Sequence, residues 1–369
     1  SDFYYTPPTG YKALNTDNLP DPAIALPGDY FNTVLYTGDG TTNHAITGVG
    51  FQPDFVWYKV RSTTGHNNLY DSVRGVQKVV YSDLTNAEAT STGTQDLYAF
   101  GADGFTVGSN FQTLCNSSGE TFASWNWKAG GTAVSNGDGT ETVSLSANPT
   151  AGFSIIAYTG TGTTDGSDTV GHGLSQAPEL YFVKARTEAS HDWNAYAEPI
   201  GVANYVALNL TGASAAQSNG LNHDEAPTSS VITLGSWNAV NESAKNFIIY
   251  AFHSVEGYSK VGSYSGNSAD DGVFIYTGFK PAWVLIKCYA GSSSQEWAMF
   301  DNKRSSYNLV DDYLYADKNS AEASGSDREL DFVSNGIKFR GPGGPINVSG
   351  RDYIYLAFAE SPFKTSNAR

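Results

Sequence analysis

The residues able to do chemistry are few and scattered. Six histidines, His44, His66, His172, His191, His223 and His253, lie along the chain with no HxH or HExxH spacing, so no helical zinc site is indicated. No GxSxG elbow occurs, which removes the hydrolase triad that such a turn presents. Cys115 and Cys288 are the two cysteines, without a CxxC, and make neither a thiolate metal site nor a disulfide framework. His223-Asp224-Glu225 is an acidic loop in which glycosidase chemistry could sit. Such chemistry needs two carboxyl groups about 5–9 Å apart across a cleft, and a solvated turn explains the tripeptide better. No catalytic residue is assigned, and the chain reads as a non-enzyme. The loops Thr37-Gly38-Asp39-Gly40, Asn136-Gly137-Asp138-Gly139 and Asn267-Ser268-Ala269-Asp270-Asp271-Gly272 offer oxygens to Ca2+. None has an EF-hand or nonapeptide pattern, and turn chemistry accounts for them. Ca2+ is the one cofactor left open.

Two sets of residues invite a binding role. Lys59, Lys184 and Lys287 each end an apolar segment. A lysine there could hold an acidic sugar, but an ion pair across a hairpin is the simpler reading, since long charged side chains are rarely buried unpaired. Asp71 and Asp301 follow Lys59 and Lys287 at a hairpin's return; the second segment has Ala197-Glu198 instead. Among the seven tryptophans, Trp57 and Trp283 lie inside apolar runs and belong to the core. Trp193, Trp237 and Trp297 stand in polar, Gly/Ser/Asn-rich surroundings and are the candidates for exposure; at least one of them is expected to line a shallow groove, stacking on sugar rings from loops held by a rigid scaffold. Four N-x-S/T sequons, at Asn116, Asn209, Asn241 and Asn347, are no more than this composition yields by chance.

The elements that must position these residues repeat. Pro53-Asp54-Phe55-Val56-Trp57-Tyr58-Lys59 matches Pro178-Glu179-Leu180-Tyr181-Phe182-Val183-Lys184 and Pro281-Ala282-Trp283-Val284-Leu285-Ile286-Lys287. Tyr36-Thr37-Gly38, Tyr158-Thr159-Gly160 and Tyr264-Ser265-Gly266 precede them. Aromatic runs close each stretch, at Phe122 to Trp127, Phe247 to Phe252 and Tyr353 to Phe358. Landmarks in one order three times mark a repeat. The fold expected is all-β, with three tandem antiparallel β-sandwiches, jelly-roll or lectin-like, of roughly 100 residues each, within the usual domain size. Residues 1–31, with Pro7, Pro8, Pro20, Pro22 and Pro27, read as an extended arm. The sandwiches fall at 32–131, 152–256 and 257–369, with a linker or edge hairpin at 132–151. Strand signals dominate, and Asp103-Gly104, Asp138-Gly139 and Asn335-Gly336 suit tight hairpins.

Composition narrows the class further. The 369 residues are 13% aromatic and 16% charged, which excludes a disordered chain. No apolar run reaches the roughly 18 residues of a membrane span. The formal charge of −16 repels phosphates and disfavours nucleic acid. The lone Met299 excludes a Met-rich binding groove. The opening Ser1, with no Met, reads as a trimmed or cleaved start.

Segments Phe3-Tyr4-Tyr5-Thr6-Pro7-Pro8-Thr9-Gly10-Tyr11, Gly50-Phe51-Gln52-Pro53-Asp54-Phe55-Val56-Trp57, Asp71-Ser72-Val73-Arg74-Gly75, Phe252-His253-Ser254-Val255-Glu256-Gly257-Tyr258 and Phe358-Ala359-Glu360-Ser361-Pro362-Phe363 resemble a repeat family of marine tailed-phage virion proteins, tail-fibre-like, across nearly the whole chain. The resemblance implies an extracellular virion location in the tail, the C-terminal part of a longer polypeptide, and no known catalytic residue. The expected job is attachment to host-surface carbohydrate by a homo-oligomer, a trimer, among other virion proteins, with no membrane insertion. A structural decoration or scaffold protein without a ligand is the alternative, and a polysaccharide depolymerase a more distant one.

Overall fold

The computed structural model describes residues 8–12, 15, 18–291 and 294–366; the arm segment around Tyr4 lies outside them. The fold is all-β, an assembly of antiparallel sandwiches. Among the described residues the one α-helix is the four-residue Asn238–Asn241.

Three large antiparallel sheets share one strand order. In the first, Phe31–Thr37 pairs with Thr121–Trp127, which pairs with Phe55–Val60, followed by Asn68–Asp71, Lys78–Tyr81 and Ala89–Thr90. The second runs Phe153–Thr159, Asn246–Phe252, Leu180–Ala185, Asn194–Ala197, Asn204–Ala207, Ala215–Ala216. The third runs Ser259–Ser265, Asp352–Pro362, Phe279–Ala290, Trp297–Asp301, Asp312–Tyr315, Ala323–Ser324. The segments ending in Lys59, Lys184 and Lys287 hold the same place in each, beside the closing aromatic strand. Val134–Asn136 and Val143–Asn148 form a hairpin on the edge of the second sheet.

The central strands are buried at almost every position, so both faces need cover. Alternation supplies two covers. Val56 and Tyr58 face a small sheet that includes Ile46, Leu97, Phe105 and Val107; Tyr181 and Val183 meet Val170 and Ile232; Val284 and Ile286 meet Ile275, Ile337 and Phe339. The intervening residues, Phe55, Trp57, Leu180, Phe182, Trp283 and Leu285, enter a single core common to all three sheets. A strand buried on both sides thus belongs at once to its own sandwich and to a shared centre.

Backbone hydrogen bonds join the sandwiches cyclically. Ser190 N–H donates to Thr85 O (3.1 Å) and Glu88 N–H to Arg186 O (2.8 Å) between first and second. Gln295 donates to Thr211 O and Ser214 to Tyr289 O, both 2.9 Å, between second and third. Gly65 donates to Asn319 O and Glu322 to Arg61 O, both 2.8 Å, between third and first. The ring is therefore closed. Where one sandwich hands over to the next, an acid after the landmark proline clips the outgoing chain: Asp54 Oδ2 accepts from Ala129 N (2.8 Å) and Gly131 N (3.1 Å), and Glu179 Oε2 from Ser254 N (2.8 Å). Ala282 stands there in the third sandwich.

Candidate functional site

The lysines are buried at the seams. Lys59, Lys184 and Lys287 are each 0% exposed. Lys59 Nζ donates to Gly65 O (2.5 Å); Lys184 to His191 O (2.6 Å) and, across the seam, Thr85 O (2.8 Å); Lys287 to Gln295 O (2.6 Å) and Leu210 O (3.0 Å). Burial pushes all three ammonium groups down to about 8. The expected Lys59–Asp71 and Lys287–Asp301 pairs do not form. The register sets Phe55 opposite Asp71 and Trp283 opposite Asp301, so each lysine lies four residues further along its strand, about 13 Å away.

Asp71 and Asp301 serve arginines instead. Asp71 binds Arg74, which also donates to Leu69 O (2.9 Å) and reaches Glu88 (3.2 Å); Glu88 takes Arg186 of the second sandwich at 2.9 Å. Tyr250 O–H, from the second sandwich, donates to Asp71 Oδ2 (2.7 Å). The third sandwich repeats this with Asp301, Arg304 (2.5 Å), Glu322 and Arg61, and Trp125 Nε1 of the first donates to Asp301 Oδ2 (3.1 Å). Both arginine side chains are fully buried. At the remaining seam Ala197 and Ile200 replace the pair, both in the common core. These arrangements hold the ring and present nothing to a ligand.

Two of the three candidate tryptophans are not exposed. Trp193 and Trp297 are 0% and 1% exposed, because each indole bridges a seam: Trp193 Nε1 donates to Tyr81 O (2.7 Å) and Trp297 Nε1 to Ala207 O (2.9 Å). Polar neighbours in sequence reflect the seam's backbone, not solvent. Trp237 is half-buried, edge-on to Tyr205 at 4.8 Å. Trp57 and Trp283 lie in the core.

Sequence reasoning also missed three equivalent asparagines inside sequons. Asn116, Asn241 and Asn347 are buried. Each Oδ1 accepts from Asp39, Thr161 and Asn267 N–H respectively (3.0, 2.9 and 3.1 Å), and each Nδ2 donates to Thr41, Thr163 and Ala269 O. Their spacing from the Tyr-Thr/Ser-Gly landmarks was the available signal. The first Asp/Asn loop is thereby closed on Asn116, and hydrogen bonds, led by that from Thr41 N–H, hold Asp39 down at about 2. The loop at Asn136 closes on itself, Asp138 N–H to Asn136 Oδ1 at 3.1 Å. No three His, Cys, Asp or Glu side chains converge as a metal site among the described residues. In the acidic tripeptide, His223 and Asp224 have positive φ, and Glu225 accepts from Thr233 Oγ1 at 3.1 Å, a turn tied to its neighbour.

An open groove of about 330 Å3 lies where the first sandwich meets the third. Phe111 stands on its rim, 58% exposed, among His66, Asn68, Asn110, Gln112 and Asn319. The buried carboxylate of Asp96 builds the rim: it accepts from the N–H groups of Phe111 (3.0 Å), Gln112 (2.9 Å) and Thr113 (3.1 Å). Asn110 Oδ1 takes the N–H groups of Cys115 and Asn116 (3.0 and 2.9 Å). His66 Nδ1 rests on Asp83 Oδ2 at 2.7 Å. Asn68 is 2% exposed, its Nδ2 donating to His66 O (2.8 Å), while its buried Oδ1 has no hydrogen-bond partner. A buried acceptor left open is costly unless something donates to it. An apolar ring face beside neutral amides suits a polyhydroxylated, uncharged ligand.

A family described as a domain of unknown function, DUF7483, matches residues 26–362. No curated protein and no solved structure matches the chain.

Proposed function

The chain belongs to the DUF7483 family, a domain of unknown function, and from that premise we propose that it is a host-attachment module of a tailed-phage virion, in a tail fibre or tail appendage, gripping a neutral cell-surface glycan in the groove beside Phe111. The phage setting rests on the sequence resemblance. The binding reading rests on one observation: the exposed Phe111 ring stands in an open groove lined by the neutral amides of Asn110, Gln112 and Asn319. The C–H face of a sugar ring packs on Phe111 while its hydroxyls hydrogen-bond to the exposed amides of Gln112 and Asn319. The residues lining the groove include no carboxylate, and glycoside cleavage uses two, so the module binds without cutting. In the virion it works as a homo-oligomer, a trimer.

Glycan-array binding and adsorption to host cells test this with Phe111→Ala and Gln112→Ala. Both variants should lose binding, and Phe111→Ala should melt with the parent because its ring is exposed. A parent chain that binds no glycan, or Phe111→Ala binding undiminished, refutes the assignment and favours a scaffold without a ligand, a reading that the closed ring also accommodates.

A further inference from the structure

A second opening, larger than the groove, lies at the other end of the strands. It is a cleft of about 440 Å3 between the arm and the third sandwich. One wall is the arm itself, Leu19 to Pro22, tied down by Lys364, whose Nζ donates to Leu19 O (3.0 Å) and Asp21 Oδ1 (2.6 Å). The facing wall carries Tyr276 and Phe363, 57% and 38% exposed. Lys260 Nζ sits 5.5 Å from the Tyr276 ring centroid and donates to Tyr276 O at 2.9 Å, which fixes the ring's edge of the cleft. Pro22 and Pro362 complete the lining.

Rings standing in an open cleft are the surface that extended, proline-rich segments dock against, because such segments are already straight and lose little entropy on binding. This chain carries such a segment. Residues 1–12 read Ser-Asp-Phe-Tyr-Tyr-Thr-Pro-Pro-Thr-Gly-Tyr-Lys. Pro8 to Lys12 are exposed throughout, with Tyr11 at 74%, so these residues do not fill the cleft of their own chain. An exposed Tyr11 next to Pro8 and an open, ring-lined cleft, on different parts of one molecule, are the two halves that a head-to-tail contact between copies needs. We propose that this cleft receives residues 1–12 of a second copy, each arm seated on its neighbour, and that this exchange closes the homo-oligomer. The inference deepens the oligomer reading above and is independent of the glycan groove.

Light scattering of the full chain over a range of concentrations tests it, with Tyr276→Ser and Tyr11→Ala as variants and a synthetic peptide of residues 1–12 as competitor. The parent should scatter as a multimer, and each variant should be left as a single chain. Excess peptide should dissociate the parent. Both substituted side chains are exposed, so unchanged melting separates lost assembly from lost folding. A parent that stays a single chain at every concentration overturns the proposal. So does a multimer that survives both Tyr276→Ser and the peptide. Glycan binding by the single-chain variants would show that the groove reading stands or falls separately.

Discussion

Asp317 offers a sharp test of how the seams are built. Its side chain is buried, with Oδ1 accepting the Trp297 N–H at 3.0 Å and Oδ2 without a partner. Burial pushes its carboxyl up to about 7, against the pull of the Lys287 ammonium. A carboxyl raised on folding stabilises the native state fully below its unfolded value and loses that contribution as pH rises through its folded value. Stability should therefore fall between about pH 4 and pH 7, by up to about 4 kcal/mol if the whole shift is expressed. The second sandwich shows the remedy. Asn209 occupies the equivalent place, accepting the Trp193 N–H at 2.8 Å and donating through Nδ2 to Asp192 at 2.7 Å. In the third sandwich Glu296 precedes Trp297 as Asp192 precedes Trp193, so Asp317→Asn has both partners at hand. The substitution should keep the Trp297 hydrogen bond, remove the cost of an ionised buried carboxylate, and stabilise at pH 8 by up to about 4 kcal/mol, the pull of Lys287 being already contained in the raised value. Denaturant unfolding from pH 4 to 8 reads this directly. If parent and variant show the same pH slope, or the variant is weaker at pH 8, the account of this seam is wrong.

Other seams yield further expectations. Arg74→Ile alone should cost about 3–5 kcal/mol, because it leaves Asp71 buried and uncompensated; adding Asp71→Ala, which restores the Ala197/Ile200 pairing of the second sandwich, should recover part of the loss in a double-mutant cycle. Trp193→Ala and Trp297→Ala should each cost about 3–5 kcal/mol by denaturant unfolding, with no selective loss of host adsorption. Burial lowers the His172 imidazole below its usual value. The stability it contributes is complete above the unfolded value and lost as pH falls below it, so His172→Gln should flatten the acid side of a melting-temperature profile.

The amino-acid sequence determined the local elements. Period-two runs, Asn-Gly and Asp-Gly turns and the Pro-to-Lys segments mark strands and hairpins because side-chain alternation and positive φ are local requirements. It also carried the equivalence of Lys59, Lys184 and Lys287, which end strands in the same place of three like-ordered sheets. It did not reveal what those lysines do. A lysine donating to carbonyls 99 and 77 residues away, as Lys184 and Lys287 do, leaves no trace in its neighbours. The same holds for Trp193 and Trp297, whose polar surroundings look like an exposed loop until a second sandwich covers them. The Asp71–Arg74 and Asp301–Arg304 pairs stood in the sequence at a fixed spacing, but their partners Glu88 with Arg186, and Glu322 with Arg61, come from opposite sides of a seam. The groove is tertiary in the same sense: Asn68, Phe111 and Asn319 come from a strand, a loop and another sandwich. Burial and a missing hydrogen-bond partner are properties of packing, and closure of the ring decided both.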